Sequence, residues 1–450
     1  MTPRTQGGFW ILLFVLGLVV CQILLLFEAA QPLRFFIRVG VFAASLSYLS
    51  FTLLSRPKSK PHPALTLALA VLAILALSFF YPKPESTASG IAHALLYLAI
   101  LAPLFWVPSL GVDLAVLRML VFVLWGFHTL SSIFGVLQVF FPGSFQSQIS
   151  AVLESQGEDY VQSLRFALAS GQEVFRPMGL TDTPGGAAAS GLHAIIFGFG
   201  LMLTARNPLF RFLCVAGMLI GMACIAFSQV RVMLVLAVIF LAALSFLTLA
   251  LIFARRIRLG TFLKVLFIAT LISVGALTWA IRVGGESVKS RLSTLIEEKP
   301  TSVYYKERGY FLEETVKEYL PKYPLGAGLG RWGMMARYFG AEDPLWAEIQ
   351  ITGWLFDGGI PLVVVYLSML LLAMLVSLRI ARSRGFPGAS ELRIWGSLIF
   401  AYDVGILAAT FVAPVFIGQG GLEFWLFNAS LHSAYRLQIA SFAPAQRFPP

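Results

Sequence analysis

Charge is scarce in this sequence: Asp, Glu, Lys and Arg make up only 12% of its 450 residues, against 58% that are hydrophobic. A soluble chain of this length has no means of hiding so much apolar surface, which excludes an ordinary globular fold in water. Cysteine is scarcer still. Cys21, Cys214 and Cys224 all fall inside apolar runs and none in a loop, which excludes a disulfide framework and a metal knuckle. Histidine occurs five times, at 62, 93, 128, 193 and 432. The glycine-rich stretch 326–330 has neither a preceding strand nor a following Lys-Ser/Thr, so it is not a nucleotide loop.

What the chain does have is apolar runs about 20 residues long, the length an α-helix needs to cross a hydrocarbon layer of ~30 Å. Lipid offers the backbone no hydrogen-bond partners, so such runs must be helices. The fold class expected is an all-α polytopic membrane protein of about twelve transmembrane helices. The spans read as 9–27, 36–54, 64–81, 90–109, 114–141, 186–205, 209–227, 230–253, 261–281, 345–378, 394–413 and 421–437. The first run is long and lacks a small-residue cleavage site, so it is expected to stay as an anchor. The organisation is then N-terminal helices over 1–141, a large loop over 142–185 and central helices over 186–281. A second large loop follows over 282–344, and C-terminal helices over 345–450.

The net charge of +11 is unevenly placed. With the N-terminus inside, the inner segments hold 17 of the 33 basic residues but only Asp113 and Glu391 of the 22 acidic ones. The bias is the membrane-topology signal of basic inner turns and not a nucleic-acid footprint. It places both termini in the cytoplasm and both large loops on the outer face. Within the second loop, 305–320 reads as an amphipathic helix, with Leu312, Val316, Tyr319 and Leu320 on one face, Glu313 and Lys317 paired on the other, and Pro321 as its stop.

Three places could carry chemistry. Arg231 opens a span in the turn Ser228-Gln229-Val230-Arg231, where a cation opposes the helix dipole. A bound anion resolves that conflict; an arginine reaching a lipid headgroup is the alternative. Arg176 precedes Pro177-Met178-Gly179 and the turn Thr181-Asp182-Thr183-Pro184, a rigid lead into a helix start that favours anions. Third, Arg308 begins a stretch ending in Pro324-Leu325-Gly326-Ala327-Gly328-Leu329-Gly330-Arg331, with Glu348 and Asp357 at the mouth of the next span.

In this order the elements resemble the O-antigen ligase and O-antigen polymerase family of bacterial envelope glycosyltransferases. The likeness covers about 176–375, somewhat under half of the chain. Arg176-Pro-Met-Gly with its Thr-Asp-Thr-Pro turn is similar to the family's Arg–Gly–Asn-Pro approach to a span, and Ser228–Arg231 to its Ser-Arg turn. The stretch from Arg308 to Gly330 resembles the segment ending Pro-Leu-Gly-x-Gly, and Glu348 to Gly359-Ile360 the stretch ending Glu-x-Gly-Ile, with Asp357 as its acidic residue. One departure is Glu348-Ile349, where ligases carry His-Asn or His-Ser.

The resemblance implies a multi-pass protein of the bacterial inner membrane. It would transfer or polymerise a saccharide, as part of lipopolysaccharide or other cell-envelope polysaccharide synthesis. The donor would be a saccharide on a polyprenyl (undecaprenyl) diphosphate in the outer leaflet, and the acceptor a lipid-, glycan- or protein-linked hydroxyl. No cofactor is expected. With no Asp-x-Asp motif in the outer loops, metal-independent chemistry is expected, with arginines as counter-charges to the diphosphate. The residues expected to carry it are Arg231, Arg308 and Arg176 on the diphosphate and Glu348 as base. Gly326, Gly328, Gly330 and Arg331 are expected to contact substrate. Competing readings are a transporter or flippase of lipid-linked saccharides, which should show mid-span charge, repeats or broken helices, and a non-catalytic scaffold. Asp403 is the clearest mid-span charge.

Overall fold

The computed structural model describes residues 3–442, apart from 26, 56–60, 146–148, 150–156, 182–183, 254–258, 298, 300–301, 303 and 340–343. Among the described residues, helices α1 (Pro3–Leu24), α2 (Arg34–Ser55) and α3 (Leu65–Ser78) come first. They are followed by α4 (Thr87–Leu101), α5 (Pro103–Leu110) and α6 (Leu114–Phe140). A short helix α7 (Glu158–Ser163) leads into a hairpin of β1 (Arg165–Ala167) and β2 (Glu173–Phe175). Next come α8 (Ala187–Thr204), α9 (Pro208–Ser228), α10 (Arg231–Phe253) and α11 (Leu259–Glu297). The chain continues through α12 (305–322), α13 (Gly333–Tyr338), α14 (Gln350–Ala381), α15 (Ala389–Ala409) and α16 (Gln419–Phe442).

Among the described residues, ten helical spans are long and apolar enough to cross a membrane. Large apolar side chains stand bare along them, Leu54 at 85% and Phe253 at 79% exposure, a surface that only lipid satisfies. The chain is therefore a helical multi-pass membrane protein. The two further expected spans differ from these ten. Leu65–Ser78 has 14 residues. Gln419–Phe442 buries Glu423, Asn428 and His432, because its polar side chains face protein.

The chain forms two compact units, one of Met1–Trp10, Phe42–Leu114 and Thr301–Pro450, the other of Ile11–Val41 and Ala115–Pro300. In the first, α14 packs on α3 and α15, and α16 on α5. In the second, α9 packs on α8 and α11. Small residues let α8 and α9 approach closely: a Cβ on Gly191 would lie 2.4 Å from the carbonyl oxygen of Gly221.

Two of the long helices are broken. In α11 the backbone of Gly285 turns left-handed (φ 58°), and the helix then resumes to Glu297, so part of the expected loop 282–344 is helix. In α14 the breaks are at Gly358 and Gly359. The amphipathic segment is a helix, as expected, but it carries two π turns, at Tyr305–Gly309 and Thr315–Tyr319. Wider turns shift the inward face. Phe311, Thr315 and Tyr319 turn inward, and Val316 is 54% exposed, contrary to the expected face. The helix also runs through Pro321 to Lys322 before it ends. Glu313 and Lys317 pair as expected.

Candidate functional site

The second unit holds a basic cavity of about 430 Å³. Its construction begins at the hairpin, whose ladder sets Arg165 opposite Phe175. The Arg165 guanidinium lies 4.3 Å from the centre of the Phe175 ring, so the cation is held over an aromatic face. The Arg176 N–H extends the ladder by donating to the Leu164 carbonyl (3.0 Å), and its Nη2 donates to the Ser163 carbonyl (3.2 Å). The hairpin loop docks on the break in α11: Ala169 N–H donates to Val283 (3.2 Å), and a Cβ on Gly285 would sit 2.9 Å from the Ala169 Cα. Beyond that break Ser287, Ser290 and Arg291 share one face of the helix and line the cavity.

The turn between α9 and α10 supplies the remaining wall. Gln229 ends α9 at φ 53°, the one non-glycine residue with positive φ among the described residues. Left-handed backbone at a glutamine is a local strain. It is held by the Gln229 N–H to Ala226 carbonyl bond (3.2 Å) and by Gln229 Nε2 donating to Ser287 Oγ (3.1 Å). Arg231 then opens α10. Among the described residues, Arg165, Arg176, Arg231 and Arg291 line the cavity with Ser163, Ser287, Ser290, Gln229 and Phe166. Four guanidinium groups and three hydroxyls at the start of one helix suit a multiply charged phosphate. Asp182 and Thr183, of the turn after Arg176, lie outside the described residues, as do Arg56, Lys58, Lys60, Arg255, Arg256 and Arg258, which were expected in inner turns.

Arg308 and Glu348 lie in the first unit, where they form an ion pair. The π turn at Tyr305–Gly309 carries Arg308, and Glu348 just precedes α14. Arg308 Nη1 donates to Glu348 Oε2, and Trp346 Nε1 donates to Oε1 at 2.8 Å, so both carboxylate oxygens are engaged. A cavity of about 220 Å³ opens beside them, lined by Tyr310, Phe311, Glu314, Tyr319, Trp346, Glu348 and Thr352. Tyr319 donates to Glu314 Oε1 at 2.8 Å. Burial, and then that hydrogen bond, push the Tyr319 phenol up to about 12, so it stays a donor. Aromatic faces with carboxylates between them suit a sugar, whose C–H faces stack and whose hydroxyls donate.

Gly326, Gly328, Gly330 and Arg331 line neither cavity. Their backbone instead closes the break in α14. Ala327 N–H donates to the Phe356 carbonyl (2.7 Å) and Ile360 N–H to the Pro324 carbonyl (2.9 Å), restoring bonds that the broken helix gives up. At Gly330 a Cβ would meet the Ser89 carbonyl oxygen at 2.6 Å, and Arg331 pairs with Glu85 at 3.2 Å. Asp357 sits wholly buried at the centre of this arrangement. Its Oδ2 is contacted by Tyr97 Oη (2.7 Å), Trp332 Nε1 (2.8 Å) and His93 Nε2 (3.1 Å), and Gly330 N–H donates to Oδ1 (3.4 Å).

Sequence reasoning had not singled out Arg165, Arg291 or the two serines of α11. Gln229 stood in the Ser228–Arg231 turn without a role of its own. A protein-family comparison finds no matching family, and a comparison with curated proteins finds no match either.

Proposed function

We propose that this chain is a metal-independent membrane glycosyltransferase of the O-antigen ligase or polymerase type, using a saccharide linked to a polyprenyl diphosphate in the outer leaflet. The observation that carries the reading is the cavity on which Arg165, Arg176, Arg231 and Arg291 converge with Ser163, Ser287 and Ser290. Guanidinium groups bind phosphate bidentately and stay ionised, so they favour the leaving diphosphate as its charge develops. In the transfer, an acceptor hydroxyl oxygen bonds to the anomeric carbon and the bond from that carbon to the phosphate oxygen breaks. The polyprenyl diphosphate departs, and the hydroxyl proton goes to a carboxylate. Glu348 is that carboxylate in this reading, and Arg308 positions it.

Arg231→Ala and Arg176→Ala, compared at equal membrane abundance, should each lower glycan output on the order of 10²-fold. Unchanged output would overturn the assignment. Glycan analysis of a deletion strain separates the two types. Loss of long chains with one repeat still attached indicates polymerase, whereas accumulation of lipid-linked polymer indicates ligase.

The breaks at Gly285 and at Gly358–Gly359 favour one other reading, a transporter of the same lipid-linked saccharides, since broken helices are common at transport sites. Movement of labelled lipid-linked saccharide across proteoliposomes with no acceptor present would support transport over transfer.

A further inference from the structure

Ser377 of α14, Asp403 of α15 and Asn428 of α16 meet in a fully buried cluster, at 0%, 1% and 1% exposure. Asn428 Nδ2 lies 2.9 Å from Asp403 Oδ1 and 3.1 Å from the Phe424 carbonyl oxygen. A backbone carbonyl only accepts, so it fixes which end of the amide faces it, and both amide hydrogens are thereby spent. Asn428 Oδ1 must then face Ser377 Oγ, which stands 3.1 Å away and is also 3.0 Å from Asp403 Oδ2.

The hydroxyl of Ser377 has one hydrogen and two oxygens to serve. If Asp403 is ionised, one of those contacts sets two buried oxygens together with no hydrogen between them, a costly arrangement away from water. Protonating Asp403 removes the conflict. Its O–H then donates to Ser377 Oγ, Ser377 donates to Asn428 Oδ1, and Asn428 Nδ2 donates to Asp403 Oδ1. The ring closes with every donor and acceptor used once. Asp403 has no ion-pair partner among the described residues. On the same helices the ionisable residues nearest in sequence are Arg379 on α14, Tyr402 on α15, and Glu423 and His432 on α16, while the hydrogen bonds of Asp403 run to Ser377 and Asn428. Asp357 differs in kind, because Tyr97, Trp332 and Gly330 all donate to it and His93 Nε2 lies against it.

We propose that Asp403 is a proton-binding site: it holds a proton as a neutral carboxylic acid and closes an uncharged Ser377–Asp403–Asn428 clamp joining α14, α15 and α16. A neutral clamp fits a layer enclosed by apolar helices, where an unpaired charge is expensive. Nothing in the transfer chemistry requires it, so the proposal stands independently of the glycosyltransferase reading.

The test is infrared spectroscopy of the full-length protein in lipid, labelled with ¹³C-aspartate. The carbonyl stretch of a protonated aspartic acid is expected at neutral pH, and it should vanish in Asp403→Asn. The amide introduced by that substitution accepts from Asn428 and donates one of its two N–H groups to Ser377, so the variant should melt above Asp403→Ala. Asp403→Ala and Asn428→Ala should melt lower, by roughly 2–4 °C or more. Absence of any labelled acid band in the wild type overturns the proposal whether or not a variant folds. So does an Asp403→Asn midpoint as low as that of Asp403→Ala. A midpoint raised by sodium over choline, and no longer raised in the Asp403 variants, would assign the cluster to a cation instead.

Discussion

Gln229 donates from Nε2 to Ser287 Oγ at 3.1 Å and so ties the turn between α9 and α10 to the part of α11 beyond its break. A strained glutamine thereby joins the turn that leads into Arg231 to the helix face that carries Arg291. Gln229→Gly removes the backbone strain but also the tie. It should leave abundance intact while weakening binding of a diphosphate probe. Gln229→Val, β-branched at positive φ, should cost about 1–3 kcal/mol of stability. Thermal unfolding in detergent and calorimetric titration with a short-chain polyprenyl diphosphate separate the two effects.

The Arg308–Glu348 pair is 34% and 24% exposed, so its worth to the fold is small. Glu348→Gln should change stability by less than about 1 kcal/mol. If Glu348 accepts the acceptor's proton, the same variant should lower transfer by about 10²–10⁴-fold. A vesicle assay with lipid-linked donor distinguishes this from a purely structural pair, for which activity would hold.

Gly359 is the tightest point of the α14 break, at φ 65° with Pro324 oxygen 2.3 Å from the place a Cβ would take. Gly359→Ala should destabilise by about 2 kcal/mol or more, because the Pro324 backbone has nowhere to move while it serves Ile360. Membrane abundance and thermal midpoint should both fall. Gly143→Ala, with open space around it, is the control at positive φ without a neighbour.

His62, just ahead of α3, accepts from Ala64 N–H through Nδ1 at 3.1 Å. Burial first, and the His432 ring second, lower its titration from 6.5 to about 3. The unfolded chain therefore binds a proton that the folded one refuses. Stability is full above about 6.5 and is lost as pH falls towards 3. His62→Gln should flatten that part of an unfolding-against-pH curve, followed by melting between pH 7 and pH 4.

Two of the four arginines that line the basic cavity were legible in the sequence. Arg231 stood out because a cation opens a helix, and Arg176 because proline and glycine fix its turn. Arg165 and Arg291 were not legible, for a physical reason. One reaches the cavity through a three-residue ladder, and the other through a helix that changes direction at Gly285 and continues where a loop was expected. Both depend on the contact of Ala169 with Gly285, which is distant in sequence and leaves no periodic trace. The glycines of 326–330 were visible as glycines, but their task, completing the backbone of a helix broken at Gly358 and Gly359, depends on the partner strand of chain and not on their own spacing. Helix α16 was legible as a helix, while its buried Asn428 and Glu423 acquire partners only once the bundle is assembled.

The hairpin's hold on α11 also determines where this protein can be altered by hand. Residues 168–172 look like a convenient surface loop for an epitope tag or a fluorophore, yet Ala169 is wedged against Gly285 and bonded to Val283. Length added there should disturb the far end of α11 and, with it, Ser287 and Arg291. The turn at Gly385, where a Cβ would meet nothing within 4 Å, is the better attachment point for labels meant to report on the working protein.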